Sequence, residues 1–315
     1  MNTASTSEEI LNLPKGTRFS RRIHENLTIV LFLLPSFVLF IVFVVYPIFQ
    51  SIYYSFFNWK GFGPAVDFIA LENYKRILTD RVFLIALKNG ILIVVLSLVL
   101  QLPLSLGLAL LVGRDLPGRA FFRAIFFMPY VFSEVIVAIM WLGLYNPDPE
   151  RGFINALLIL IPGVKPQPWL GNTQTVLMCI FVVLTWKYFG FHMLLYMTGL
   201  QNIPSDIEEA ARIDGANRRQ LLTQITLPLL GSTIRTSVYL SVLGSLQQFI
   251  LVWIMTHGGP VNASEVMSTY MYRFGFVRFY LGYGSAVAIV MFLICLTFSL
   301  AYQRFAPQRD YLGGV

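Results

Sequence analysis

The feature that most constrains this chain is a recurrent one: apolar runs of about twenty residues or more, joined by short links that hold most of the arginines. A water-exposed domain has no place for several such runs. A bilayer does, provided each run closes its backbone hydrogen bonds internally as a helix. Composition agrees, with 12% of residues charged against about 25% in soluble domains. The runs predict six spans, at roughly 28–57, 83–112, 124–145, 174–200, 233–256 and 283–303, with a tail at 1–27 and another at 304–315. The segment from His257 to Gly282 is too polar to cross. The first run is too long for a signal-peptide core and no A-x-A-like cleavage site follows it, so it reads as a retained span. Pro35, Pro47 and Pro103 fall inside spans and should bend them.

The net charge of +7 does not point to nucleic acid, because the basic residues flank apolar runs. Lys15, Arg18, Arg21, Arg22, Arg114, Arg119, Arg123, Arg212, Arg218, Arg219, Arg235, Arg304 and Arg309 fall on one side, thirteen in all. Lys60, Lys75, Arg76, Arg81, Lys88, Arg151, Lys165, Arg273 and Arg278 fall on the other, nine in all. The excess places both termini in the cytoplasm. Cys179 and Cys295 lie in apolar runs and read as small hydrophobic residues. His24, His192 and His257 lie in separate regions, so the spacing gives no metal site. No G-x-x-x-x-G-K-[ST] occurs, so the chain has no P-loop of its own, and no nucleophile–base set is readable.

The longest polar interruption of the second half is Glu209 to Pro228. Pro204 stops the preceding segment, and Ser205 with Glu208 predicts a capping box that opens a helix at Asp206. Ala210 and Ala211 give that helix a face a partner backbone can approach. Gly215 suits its left-handed stop. Asn217 and Gln220 predict a second cap, and Pro228 a kink before the fifth span.

Glu209-Ala210-Ala211, Asp214-Gly215-Ala216 and Ile225-x-Leu227-Pro228 resemble the EAA loop of bacterial ABC-importer permeases. Pro35 with Tyr46-Pro47, Leu71-Glu72-Asn73-Tyr74, Phe122-Arg123 with Pro129-Tyr130, Asn146-Pro147-Asp148, Trp169-Leu170-Gly171 and Gly258-Gly259-Pro260 are similar to the carbohydrate-uptake branch, near the first permease of maltose-type and glycerol-phosphate-type importers. Gly231 departs from the pattern, where the family often has proline. The resemblance implies an all-α membrane protein of the type I ABC-importer permease fold, in the bacterial cytoplasmic membrane, with residues 204–228 as a cytoplasmic coupling loop. It implies no cofactor on this chain, with ATP and Mg on a partner ATPase dimer. The further partners it implies are a second homologous permease, an extracytoplasmic solute-binding protein and a sugar substrate. Glu209 would contact the ATPase and Gly215 would set the angle of the docked helix.

The substrate path is read from polar groups within apolar spans. Ser241, Ser245 and Gln248 recur at i, i+4 and i+7, and Tyr188 on the fourth span lies one turn from Trp186 and Phe191, giving an aromatic face. Hydroxyl, amide and aromatic groups suit a sugar; the same Ser and Gln residues also serve as glue between membrane helices. Glu134 and Lys187 fall deepest in apolar segments. Reckoned along straight helices at ~1.5 Å per residue they sit at similar depth, and the expectation is an ion pair at the pore wall. A proton-coupled secondary transporter using a midplane carboxylate is the alternative, and would call for inverted repeats. A structural membrane scaffold explains the spans but not the EAA spacing.

Overall fold

The computed structural model describes residues 15–113 and 118–306. Arg114 and Arg309 of the charge count, and the outer parts of both terminal tails, lie outside the described residues. By chain contacts the protein divides into residues 1–54 and 55–315. In the first unit a helix begins at Lys15, well ahead of the apolar run, and continues to Tyr54; its membrane span is α1, Ile29–Tyr54.

The second unit is helical, with a single isolated β-bridge between Phe57 and Phe68 among the described residues. Its spans are α2 (Arg81–Val112), α5 (Val176–Gln201), a fifth span over Gly231–Thr256 and α10 (Leu281–Phe305). The expected third span is not one helix. It consists of α3 (Arg119–Val131) and α4 (Glu134–Leu144), bent by 97° across a two-residue break at Phe132 and Ser133. Counting that bent pair as one crossing gives six.

Three of the prolines follow a common pattern. Pro47, Pro103 and Pro228 each stand two residues beyond a π-helical stretch, at Ile41–Val45, Ser97–Gln101 and Leu221–Thr226. A proline lacks the N–H and its ring presses on the carbonyl four residues back. One extra residue in the preceding turn moves that carbonyl aside and lets the helix continue, an adjustment that neighbouring helices tolerate in a membrane.

α5 is the most buried span. It packs against the second half of α2 and against α3. Gly190 permits the second contact: a Cβ there would lie 1.9 Å from the Phe126 carbonyl oxygen. Val176, Ile180, Leu251 and Val252 form one core with Val137 and Ala138, while Met193, Tyr196, Ala109 and Leu230 form another. Cys179 is buried in the first core and Cys295 is half-buried. Most outward faces of the spans carry exposed large apolar side chains, as lipid contact requires.

The segment after Thr256 folds over one end of the bundle through α9 (Met267–Tyr272). Glu265, fully buried, pairs with Arg273 at 2.7 Å and accepts from Thr269 Oγ1 at 2.7 Å. Burial pushes its carboxyl above the usual range, and Thr269, Arg273 and Arg278 pull it back only in part. Asn89 of α2 ties this segment to the span by donating to the carbonyls of Ala263 and Glu265, both at 2.9 Å.

Gly190→Ala should destabilise the assembled protein by about 1–3 kcal/mol, because backbone rather than a side chain must yield. Gly107→Ala, where nothing lies within 4 Å of the new Cβ, should leave the melting temperature unchanged or raise it. Equal melting temperatures for the two variants would show that the α3–α5 contact is not close-packed.

Candidate functional site: a polar cavity beside a broken span

The break at Phe132–Ser133 exposes two helix ends inside an apolar bundle, and each end needs a partner. Lys187 of α5 supplies the partner of the first. Lys187 Nζ donates to the Phe132 carbonyl at 2.7 Å and to the Tyr130 carbonyl at 3.3 Å, so a cation caps the negative end of α3. Glu134 stands in the first turn of α4, where the helix dipole favours an anion. The Tyr188 hydroxyl donates a short hydrogen bond to its carboxylate. The expected Glu134–Lys187 ion pair is therefore not formed: the structure has no contact between them within 4.0 Å. Depth reckoned along a straight third helix failed because that helix is bent.

Next to the break lies a cavity of about 240 Å³, walled by α2, α3, α5 and the fifth span. Tyr188, Phe191, Ser241, Ser245 and Gln248 all line it. Trp186 does not; it packs edge-on against Trp141, with ring centroids 5.7 Å apart. Two residues at ~100° each place Trp186 and Tyr188 on opposite sides of the helix, whereas Tyr188 and Phe191, three apart, share a side. Gln248 reaches the cavity by a route other than the expected one. The fifth span is interrupted between α7 (Gly231–Leu246) and α8 (Ile250–Thr256), and Gln248 sits in the unwound stretch. Its carbonyl there accepts from the Ser268 hydroxyl.

Four further polar or aromatic lining residues were not among those expected on the path: Ser97, Gln101, Tyr130 and His192. Ser97 and Gln101 are a polar i, i+4 pair in an apolar span, a signal available in the sequence. The Ser97 hydroxyl donates to Gln101 Oε1 at 2.8 Å and stands 3.4 Å from the Ser245 hydroxyl. His192 Nδ1 is 2.8 Å from the Ser237 hydroxyl. Tyr130 stacks on Phe191 at 4.9 Å and 21°, presenting ring surface. Among the described residues two lining groups have no partner: Ser241 Oγ and Gln248 Nε2, on residues 6% and 7% exposed. Buried polar atoms without partners carry a cost, so these two call for a ligand, a water or another subunit.

A second, separate feature is the polar loop after α5. Its helix is α6, Ser205–Ile213. The Ser205–Glu208 capping box does not form: Pro204 holds the cap position, so Ser205 is already helical, and Glu208 instead pairs with Arg212 at 3.2 Å. The stop is a Schellman turn. Gly215 has φ +87°, its N–H donates to Arg212, and the Ala216 N–H donates to Ala211. The Asn217–Gln220 capping box does form, with both bonds at 2.9 Å. Glu209, Ala210, Asp214 and Gly215 are exposed, Ala211 and Ala216 partly so, and Ile213 is 86% exposed. The result is a short exposed helix with small residues and an exposed isoleucine, stopped by a Schellman turn and followed by a capped turn.

A multi-spanning helical fold with a polar cavity beside a broken span, and an exposed helix between its fourth and fifth spans, defines a membrane transport subunit. The chain belongs to the family of binding-protein-dependent transport system inner membrane components, whose model matches residues 101–311. It is 38% identical over 279 residues to the probable ABC transporter permease protein YurN of Bacillus subtilis, covering 87% of this chain and 94% of that one. It is 32% identical to the trehalose/maltose transport system permease protein MalF of Thermococcus litoralis, with coverage of 89% and 93%. In fold it is similar to a chain of a bacterial ABC transporter that imports the acidic polysaccharide alginate, with a TM-score of 0.80, 24% identity and coverage of 92% and 98%. The protein is thus a multi-pass inner-membrane permease subunit of an ABC transporter, not an enzyme.

Since each charge beside the break is held by a helix end, the charge-swapped double variant Glu134→Lys with Lys187→Glu should be no better than the two single variants combined. Lys187→Met alone should lower the melting temperature of the assembled transporter, because it strips two carbonyls of their donor at a cost of about 1–3 kcal/mol each. Recovery in the swapped variant would show that the charges act on each other.

Proposed function

We propose that this permease forms one wall of a carbohydrate-import pathway, with residues 204–228 as its cytoplasmic coupling loop and both termini in the cytoplasm. The observation that carries the reading is the cavity itself. It holds neutral hydroxyl and amide groups, two of them unpartnered, around stacked aromatic rings. A sugar offers hydroxyls to the former and weakly apolar ring faces to the latter. The volume is below the ~300–1,000 Å³ usual for a complete ligand site, as expected of half a site completed by a second, homologous permease. The sugar-transport names of several relatives point the same way.

In this reading an extracytoplasmic binding protein delivers the sugar, and an ATPase dimer binds ATP and Mg and moves the coupling helices. α6 continues through the capped helix at Asn217 into α7, which carries Ser241 and Ser245 to the cavity. Motion of the loop therefore reaches the pathway along one stretch of chain, and the transporter alternates between outward and inward access. A proton-coupled mechanism finds less support. Glu134 is engaged by Tyr188, and no carboxylate lines the cavity among the described residues.

Two measurements on the reconstituted transporter test the proposal. Gln248→Leu should reduce ATP-dependent sugar uptake several-fold while the complex assembles normally; a complex that falls apart would make Gln248 packing glue. Gly215→Leu has free space for its side chain but must adopt φ +87°, at about 1–2 kcal/mol. It should uncouple ATP hydrolysis from the sugar-loaded binding protein and leave membrane insertion intact. Normal uptake by that variant contradicts the docking role of α6.

A further inference from the structure

A second pocket, of about 540 Å³, lies between the start of α7 and the end of α10, with a lining that shares no residue with the polar cavity. Its wall is built from Ser232, Arg235, Thr236, Tyr239, Tyr302 and Gln303. The Arg235 guanidinium is its only charge among the described lining residues. Nε and Nη2 of that group are sheltered from solvent and have no hydrogen-bond acceptor. The backbone at Arg235 is tied to α10: Tyr302 donates to the Arg235 carbonyl at 2.9 Å, and Tyr239 stacks on Phe298 and leans on Tyr302. The Ser232 hydroxyl and the Gln303 amide also carry no side-chain bond among the described residues.

Two orphan donors on a sheltered guanidinium cost free energy until an anion accepts from them. The planar fork suits a phosphate, which accepts two parallel N–H bonds at once. Position narrows the source. Arg235 lies four residues into α7, about 6 Å along the axis from the helix start. It is therefore at headgroup depth in the leaflet that the proposed orientation makes cytoplasmic, where anionic lipids gather and basic pockets between helices bind their headgroups. Tyr239 and Tyr302 are the interfacial aromatic residues expected at that depth.

We propose that Arg235, with Ser232 and Gln303, forms a binding site for a phosphate anion, supplied by the headgroup of an anionic phospholipid of the inner leaflet. The lipid would seat the joint between the coupling loop and α7 against α10. This inference rests on the orientation given above but not on the substrate pathway.

The test uses the intact transporter, delipidated in detergent and followed by native mass spectrometry and thermal melting. The probes are phosphatidylglycerol, phosphatidylcholine and inorganic phosphate. Phosphatidylglycerol should bind the wild type and raise its melting temperature, and phosphatidylcholine should do so more weakly. Arg235→Gln should weaken phosphatidylglycerol binding about tenfold, the loss of one charge-assisted contact, and Arg235→Lys should weaken it less. Ser232→Ala with Gln303→Ala, at the exposed rim, gives a second reading should Arg235→Gln fail to assemble. Arg235-dependent stabilisation by inorganic phosphate but not by phosphatidylglycerol would keep the anion site and assign it to a soluble phosphate. Equal binding of every probe to wild type and variants would overturn the site. So would loss of a partner subunit from Arg235→Gln with lipid binding unchanged, which would make Arg235 a subunit contact.

Discussion

The structure depends on how the break at Phe132–Ser133 is satisfied. A helix interrupted inside an apolar bundle leaves carbonyls at one end and N–H groups at the other, with little water to receive them. Here consecutive residues of α5 lie beside the two ends. Lys187 takes the carbonyls of Tyr130 and Phe132, and Tyr188 holds Glu134 at the start of α4. Gly190, less than a turn further on, lets the backbone of α3 press against α5. The same contact sets Tyr130 on Phe191 and so forms the aromatic wall of the cavity. Placing one charge at each helix end resolves two problems together, since a buried charge and a buried orphan carbonyl are both costly alone.

The second break, at Gln247–Phe249, opens onto the same cavity. Irregular backbone at membrane depth is tolerated where it is buried in protein or lines a wet space. Both interruptions meet that condition, and Ser268 secures the second by donating to the Gln248 carbonyl. The cavity wall is thus rigid at two points, while α6 is exposed. Among the described residues, the Thr226 hydroxyl, 3.5 Å from the Glu208 carboxylate, is the one side-chain hydrogen bond between that helix and the turn leading into α7.

What the sequence made legible, and what it hid, follows from these points. The spans could be read because hydrocarbon thickness demands long apolar runs, and the Gly215 stop because a left-handed turn favours glycine. The break in the third span was hidden. No glycine marks it, and Glu134 reads equally as a charge in mid-helix or as an acid at a helix start. That ambiguity produced the expected ion pair with Lys187. Gln248 fell in the right wall on the wrong backbone, because an i+7 spacing extends a helix through residues that tertiary contacts unwind. Ser205 could not cap α6 because Pro204, with its fixed φ, already occupied the turn. Trp186 was misplaced by treating two residues as a turn, and Ser97 with Gln101 was missed although its spacing was plain.

The way the charges are held also bears on what the cavity can recognise. Lys187 is engaged by carbonyls and Glu134 by Tyr188, so neither is a free charge for a ligand. The groups left over are Ser241 Oγ and Gln248 Nε2, both neutral. A neutral hydrogen bond contributes about 0.5–1.5 kcal/mol net, against roughly 1.5–3 when one partner is charged. In the function proposed above, a wall built from the former would hold a polyhydroxyl solute by many weak contacts and release it when the opposite wall moves. A transport site needs that balance, because a solute bound too tightly to leave would block the pathway that admits it.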